Sequence, residues 1–171
     1  MSGSSLSDMF RYLSGDVVEI PEGVSDLPRL HMPTCFVCGP DTVEGLGLDP
    51  RLDGDRVAAE MAFPKRFEGG PGLVHGGAVA AFFDDLMGYV LLAHAVPAVT
   101  AKLEMNYLVP IELDSTLHGT AWLAHRDGRK LYIEGEGIDA AGTRAVEASA
   151  MFLEVGLDHF NARFEEGEWY P

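Results

Sequence analysis

Apolar residues along this chain follow two different periods. From Val57 to Phe63 they alternate, with Val57, Ala59, Met61 and Phe63 on one side and Glu60 on the other, the period of a half-buried strand. The alternation returns in Val99–Tyr107, where Val99, Ala101, Leu103, Met105 and Tyr107 share one face and Thr100, Lys102, Glu104 and Asn106 the other. Three more strands are predicted over Thr116–His125, Lys130–Ile138 and Arg144–Val155, parted by turns at Asp127-Gly128 and Ala140-Ala141-Gly142. Asp53-Gly54-Asp55 marks an earlier hairpin between a weakly alternating Leu46–Leu52 and the Val57 strand. One stretch breaks the pattern. Gly77 to Val96 reads GAVAAFFDDLMGYVLLAHAV, too long for a strand and rich in Ala, so it is predicted as a helix that Pro97 ends. It is apolar on nearly every face and is expected to be enclosed.

The order is therefore strand, one long helix, then four antiparallel strands, an α+β domain whose sheet must wrap the helix. Residues 1–30 carry no sustained pattern, and His31–Pro40 reads as loop because of Pro33 and Gly39-Pro40. The expected organisation is an arm or lead-in over 1–34, one domain over 35–156, and a tail over 157–171. At 171 residues the chain has room for one domain, and it can bury enough surface to need no staple.

Charge narrows the partners. Lys and Arg number 12 against 27 Asp and Glu, a formal charge of −15. Nucleic-acid binding rests on neutralising phosphates, and anionic membranes attract cations, so neither is an expected partner. The apolar stretch approaches the length of a membrane span. Asp84 and Asp85 stand at its centre, however, and each costs roughly 2.5–3.5 kcal/mol there, so a buried helix of a soluble protein is the better reading. The opening MSGSSLSDMF has no basic and apolar signal-peptide pattern, and a cytoplasmic location is expected. Two Cys exclude a disulfide scaffold.

The chemistry concentrates around the helix start. His75-Gly76-Gly77 precedes the apolar run. Glycines there allow close approach to the backbone, and the first helical turn offers unpaired N–H groups and a partial positive charge. Such a place suits a carbonyl oxygen that becomes anionic during reaction, with His75 able to donate beside it. Two turns on, Asp84 sits among Ala80, Ala81, Phe83 and Gly88, where desolvation would make it a stronger base. A base with oxyanion donors is the minimal equipment for acyl hydrolysis. The bland alternatives are turn geometry for the glycines, a helix cap for His75, and a structural pairing for Asp84. Successive helical residues point about 100° apart, so Asp85 is read as a structural or interface carboxylate.

His-Gly-Gly with an acidic residue nine positions after the His resembles the hotdog-fold acyl-CoA thioesterases, of the phenylacetyl-CoA and human thioesterase-superfamily type. The resemblance covers roughly residues 35–155. It runs through Cys35-Phe-Val-Cys-Gly39, Gly45-Leu-Gly-Leu48, Gly70-Pro-Gly-Leu-Val-His-Gly-Gly77, Thr100–Tyr107 with Pro110, and Gly128-Arg-Lys130. It implies a hotdog fold and hydrolysis of acyl-CoA to acid and free coenzyme A. It also implies a homodimer with sites at its interface, assembling further into a tetramer. The implied roles are Asp84 as base or nucleophile, the Gly76 N–H on the thioester carbonyl, and His75 orienting the site. Thr100 would face the carboxylate from the partner subunit and position water. Gly77 would contribute to substrate binding. Relatives place an Asn or Gln shortly before the His-Gly-Gly, where this chain has Glu68, which donates no hydrogen bond when ionised.

Coenzyme A carries phosphates, and three of the few cations, Arg126, Arg129 and Lys130, lie within five residues. They are the candidate phosphate clamp, a solvated turn being the plain alternative, with Lys102 a weaker candidate on the face of Thr100. Phe82, Phe83, Met87 and Tyr89 are candidates to shape an acyl tunnel. Cys35 and Cys38 are one pair where zinc wants four ligands, so they are read as two small buried hydrophobes. No metal is expected, and no cofactor beyond the coenzyme A of the substrate. Gly-x-Ser-x-Gly is absent. Two other functions stay open at this point: an acyl-CoA-binding hotdog protein without turnover, and an enoyl-CoA hydratase or dehydratase.

Overall fold

The computed structural model describes residues 34–156 and residue 159; the expected arm and most of the expected tail lie outside the described residues. Strands β1 (Arg51–Asp53) and β2 (Arg56–Ala62) form a hairpin, and a short pair, β3 (Glu68–Gly70) and β4 (Leu73–Val74), follows. Helix α1 (Gly76–Ala93) comes next, then β5 (Ala98–Tyr107), β6 (Thr116–Asp127), β7 (Lys130–Ile138) and β8 (Arg144–Glu154). The main sheet has the order β1-β2-β6-β7-β8-β5, every pair antiparallel. The helix lies against β6, β2, β5, β7 and β8. This is the wrapped-helix α+β hotdog architecture.

Turn chemistry sets the register. Asp53 pairs with Arg56 and Asp127 with Lys130, leaving two-residue loops whose first residues, Gly54 and Gly128, have φ of 64° and 56°. A positive φ at the first central position only is the II′ hairpin that a right-handed twist favours. The face of β2 is as predicted, with Val57, Ala59, Met61 and Phe63 buried.

The core forms where α1 presses on the sheet. Phe82, Phe83, Leu86 and Met87 are fully buried. They fit because the sheet beneath is trimmed to glycine. A Cβ at Gly119 would stand 2.4 Å from the Phe82 ring, and one at Gly137 3.1 Å from Phe83. The helix passes the length and hydropathy test for a membrane span, yet nine of its residues are buried within the domain. Its other side is half-buried rather than enclosed, with Ala78, Ala81, Asp84, Asp85 and Gly88 partly exposed.

The helix ends before Pro97 is reached. Ala95 takes φ 52°, Val96 N–H bonds Leu91 O at 3.0 Å, and Ala95 N–H bonds Leu92 O at 3.0 Å. This is a Schellman ending with Ala where Gly is usual. A left-handed residue with a Cβ costs about 1–2 kcal/mol. Ala95→Gly is therefore expected to raise unfolding stability by about 1 kcal/mol. Urea denaturation would read this as a higher midpoint at unchanged slope, and an unchanged or lower midpoint would contradict the assignment.

Candidate active site

Asp84 is half-buried on the side of α1 that faces β5. The Thr100 hydroxyl donates to its Oδ1 at 2.9 Å. Simple alternation would put Thr100 with Lys102 on the outer face of β5, as the sequence reading had it. Instead the register shifts between Thr100 and Lys102, so that Thr100 pairs with Phe152 and Lys102 with Met151. Phe152 belongs to the core, and cross-strand partners share a face. The extra residue, Ala101, is a β-bulge, and bulges re-aim side chains beside active sites. It turns Thr100 inward to the helix while Lys102 stays outside, in an ion pair with Glu104 at 2.9 Å. The two residues are therefore not on one face, and Lys102 lies across the sheet from Asp84. Thr100 meets the Asp84 of its own chain, where the resemblance implied an approach from a partner.

At the helix start, His75 is the N-cap and its Nδ1 accepts from Gly77 N–H at 2.9 Å. That bond occupies the Gly77 N–H, so Gly77 is not available as a donor to substrate. It also leaves Nε2 as the ring nitrogen that can donate. The Gly76 N–H, first in the helix, has no acceptor among the described residues. Gly69 packs directly against the cap residue, where a Cβ would come within 2.7 Å of the His75 Cα. Glu68 does not stand in for the missing Asn or Gln. Its Oε1 accepts from Gly72 N–H at 2.9 Å and closes its own loop.

The sequence reading missed Tyr107. Its hydroxyl donates to the Gly76 carbonyl at 2.8 Å, bracing the backbone at the helix N-terminus. Burial of part of the ring raises its pKa above that of free tyrosine. A cavity of about 300 Å³ opens beside it, lined by Leu73, Val74, Gly76, Val79, Tyr107 and Leu108 among others. Phe82, Phe83, Met87 and Tyr89 are all packed in the core and do not line this cavity.

Gly76 and Asp84 stand apart. Eight residues of helix rise about 12 Å at 1.5 Å each, and a carbonyl carbon and its oxygen are a bond length apart. The Gly76 N–H and the Asp84 carboxylate of one chain therefore sit about two helical turns apart.

The cationic cluster sits at the β6–β7 turn, beside the end of β8. Arg126 pairs with the Glu154 carboxylate, and Arg129 donates to the Glu154 carbonyl at 3.0 and 2.8 Å. Glu154 in turn pairs with Ala98, so the cluster and Thr100 share one end of β5. Exposed pairs of this kind are worth about 0–1 kcal/mol, so Arg126 can exchange its carboxylate for a phosphate at small cost.

Asp85, one residue on from Asp84, faces elsewhere. Its Oδ1 lies 3.9 Å from the Cys35 Sγ. Cys38 and Tyr89 crowd the same spot. The thiol of Cys38 is pushed up chiefly by its bond with Cys35, and then by burial and by the Asp85 charge. Tyr89 is raised by burial above all. No sequence spacing could have announced this grouping, since loop and helix are 50 residues apart.

Residues 71–146 match the family model for the thioesterase superfamily. Acyl-coenzyme A thioesterase THEM4 of Mus musculus is 34% identical over 120 residues, which is 66% of this chain and 50% of that protein. The chain thus spans about half the length of the curated relatives it matches. Among solved structures, a thioesterase superfamily protein aligns with TM-score 0.69 at 24% identity, covering 87% of this chain and 77% of that one. A hypothetical thioesterase from Streptococcus pneumoniae, solved with coenzyme A, aligns with TM-score 0.60 at 19% identity, covering 64% of this chain and 86% of that one. That bacterial protein was also solved as an Asp→Ala and a Thr→Ala variant, at positions 16 residues apart.

The bond from Tyr107 to Gly76 predicts that Tyr107→Phe costs about 1 kcal/mol. The sign of its pH dependence follows from the raised pKa. The unfolded phenol ionises first, so the contribution of Tyr107 is fully present below the unfolded value near pH 10 and is lost as pH rises through the higher folded value. Denaturation midpoints of wild type and Tyr107→Phe should converge over that alkaline range; a difference that stays constant would contradict this role.

Proposed function

We propose, from the match of residues 71–146 to the thioesterase superfamily model, that this protein hydrolyses acyl-coenzyme A thioesters to free acid and coenzyme A. The observation that carries the reading is the hydrogen bond from Thr100 to Asp84 at the middle of the helix. Thr100 holds one carboxylate oxygen, leaving the other to take a proton from water. Hydroxide so formed attacks the thioester carbon, the C–S bond breaks, and coenzyme A departs as a thiolate that needs no strong acid behind it. The spacing of Asp84 and Thr100, 16 residues, equals that of the Asp and Thr altered in the Streptococcus pneumoniae thioesterase.

The oxyanion donor comes from a second copy of the chain. Because Gly76 lies about 12 Å along the helix from Asp84, a two-fold pair with antiparallel helices supplies the Gly76 N–H of one copy to the carbonyl attacked beside Asp84 of the other. His75 Nε2 donates next to it. The exposed edge strand β5 is the edge such a pair would cover. The cavity beside Gly76 and Tyr107 takes the acyl portion, and Arg126, Arg129 and Lys130 hold the phosphates. A homodimer is thus the active unit, and pairing of dimers into a tetramer is a further expectation. The same reading places the enzyme in the cytoplasm, where acyl-CoA is met.

Thiol release from short, medium, long and aromatic acyl-CoAs tests the activity. Asp84→Asn is expected to lower kcat by about 10²–10⁴. Arg126→Ala with Lys130→Ala should raise KM about tenfold at nearly unchanged kcat. Absence of turnover on every acyl-CoA, with binding retained, would favour a binding protein, for which the occupied Glu68 carboxylate is the pointer. The shared site has its own test. Gly76→Pro removes the N–H with little backbone cost, since His75 is already extended (φ −64°, ψ 129°), Pro is accepted at the first helical position, and an added Cβ would meet Tyr107 only at 3.5 Å. Refolding Gly76→Pro together with Asp84→Asn gives mixed dimers with one intact site. About a quarter of wild-type activity should return; a mixture as inactive as either parent would place both groups in one chain.

A further inference from the structure

The Cys35-Phe-Val-Cys38 turn has no part in the proposed hydrolysis. It folds as one unit with Gly45–Leu48, through Leu46 N–H to Phe36 O at 2.9 Å and Gly47 N–H to Val37 O at 2.8 Å. A Cβ at Gly45 would stand 2.6 Å from Phe36 O, so the second arm of the unit must carry glycine there. The unit directs both sulfurs at α1. There the ligand atoms of Cys35, Cys38 and Asp85 all lie within 4.8 Å of one another. Asp85 is the mid-helix carboxylate that the thioesterase reading does not use.

We propose that Cys35, Cys38 and Asp85 form a site for a thiophilic divalent cation of the zinc type. Three observations carry it. First, the donor set is two soft sulfurs and one carboxylate, which zinc accepts and which calcium or magnesium would not. Second, the spacing is close to a coordination shell: bonds of about 2.3 Å to sulfur and about 2.1 Å to oxygen in a tetrahedron give edges near 3.6 Å, and Cys35 Sγ to Asp85 Oδ1 is 3.9 Å. Third, the Val37 N–H donates to Cys35 Sγ at 3.4 Å, the kind of backbone support that steadies a thiolate ligand. Cys38 is buried and the other two half-buried, so the cluster is not a patch of surface acids. The three protein ligands would leave a fourth position open to water. Binding releases the two thiol protons to solvent. The ion would fasten the loop to α1 one residue from Asp84, a structural role that fixes the helix where the carboxylate of the active site is held.

The test uses the full chain, reduced and chelator-treated, titrated with Co²⁺. One equivalent should produce thiolate-to-cobalt charge-transfer absorption and the visible bands of a tetrahedral ion, and Zn²⁺ should displace it. Cys38→Ser should cut the charge-transfer band to at most the intensity of one thiolate. Asp85→Asn should weaken binding by at least the roughly 10–100-fold that losing a mere supporting partner costs. In the wild type alone, one equivalent of Zn²⁺ should protect both thiols from alkylation until chelator is added, which keeps the test decisive if a variant fails to fold. No charge-transfer band, alkylation unaffected by Zn²⁺, or a band of full intensity in Cys38→Ser would each overturn the site. So would a Cys35–Cys38 disulfide in the purified protein together with no metal uptake after reduction. Thiol release from acyl-CoA enters none of these readings, so the metal site and the thioesterase reading fail separately.

Discussion

The structure turns on how a helix buried along one face can carry a charge at its middle. Phe82, Phe83, Leu86 and Met87 require a sheet beneath them, and Asp84 requires a donor at the margin of that sheet. The bulge at Ala101 meets both needs. It lets β5 keep Leu103 and Met105 inward for packing and still bring Thr100 inward for the carboxylate. Without the extra residue, the strand would offer either the apolar face or the hydroxyl, because alternation fixes all side chains of a strand together. The trimmed glycines of β6 and β7 are the complement of this arrangement, since they let the Phe rings approach the sheet closely enough to set the height of Asp84 above β5.

The two carboxylates show how one helix serves two ends. Neighbouring helical positions diverge by about 100°, so Asp84 meets Thr100 and Asp85 meets the Cys35–Cys38 turn. The first contact fixes the group proposed to act on water. The second ties the N-terminal loop to the same turn of helix. Length along the helix then imposes the remaining constraint. The unpaired Gly76 N–H lies at its start and the carboxylate two turns in, a separation that the proposed pairing of two antiparallel helices would span.

Much of this was legible in the residues. Turn signals at Gly54 and Gly128 and the alternation from Val57 to Phe63 placed the strands, and the one non-alternating run placed the helix. His75-Gly76-Gly77 and Asp84 marked the candidate site by chemistry and by resemblance. What escaped the sequence was long-range or local irregularity. A bulge leaves no mark in a pattern of alternating residues, so Thr100 was assigned the face of Lys102. Ala95 gave no sign of a left-handed residue, so the helix end was placed at Pro97. Tyr107 read as one more apolar member of β5, and the partnership of Asp85 with two cysteines depends on a loop packing across 50 residues of chain.

On the proposed mechanism, Asp84 of one copy and Gly76 of another address the same thioester. A crystal structure of the Asp84→Asn protein holding an intact acyl-CoA is the sharpest test. The thioester oxygen is expected about 2.7–3.1 Å from the Gly76 N–H of one chain, with its carbonyl carbon beside residue 84 of the other. A thioester bound against residue 84 with no Gly76 N–H in reach, or with both groups drawn from a single chain, would contradict it.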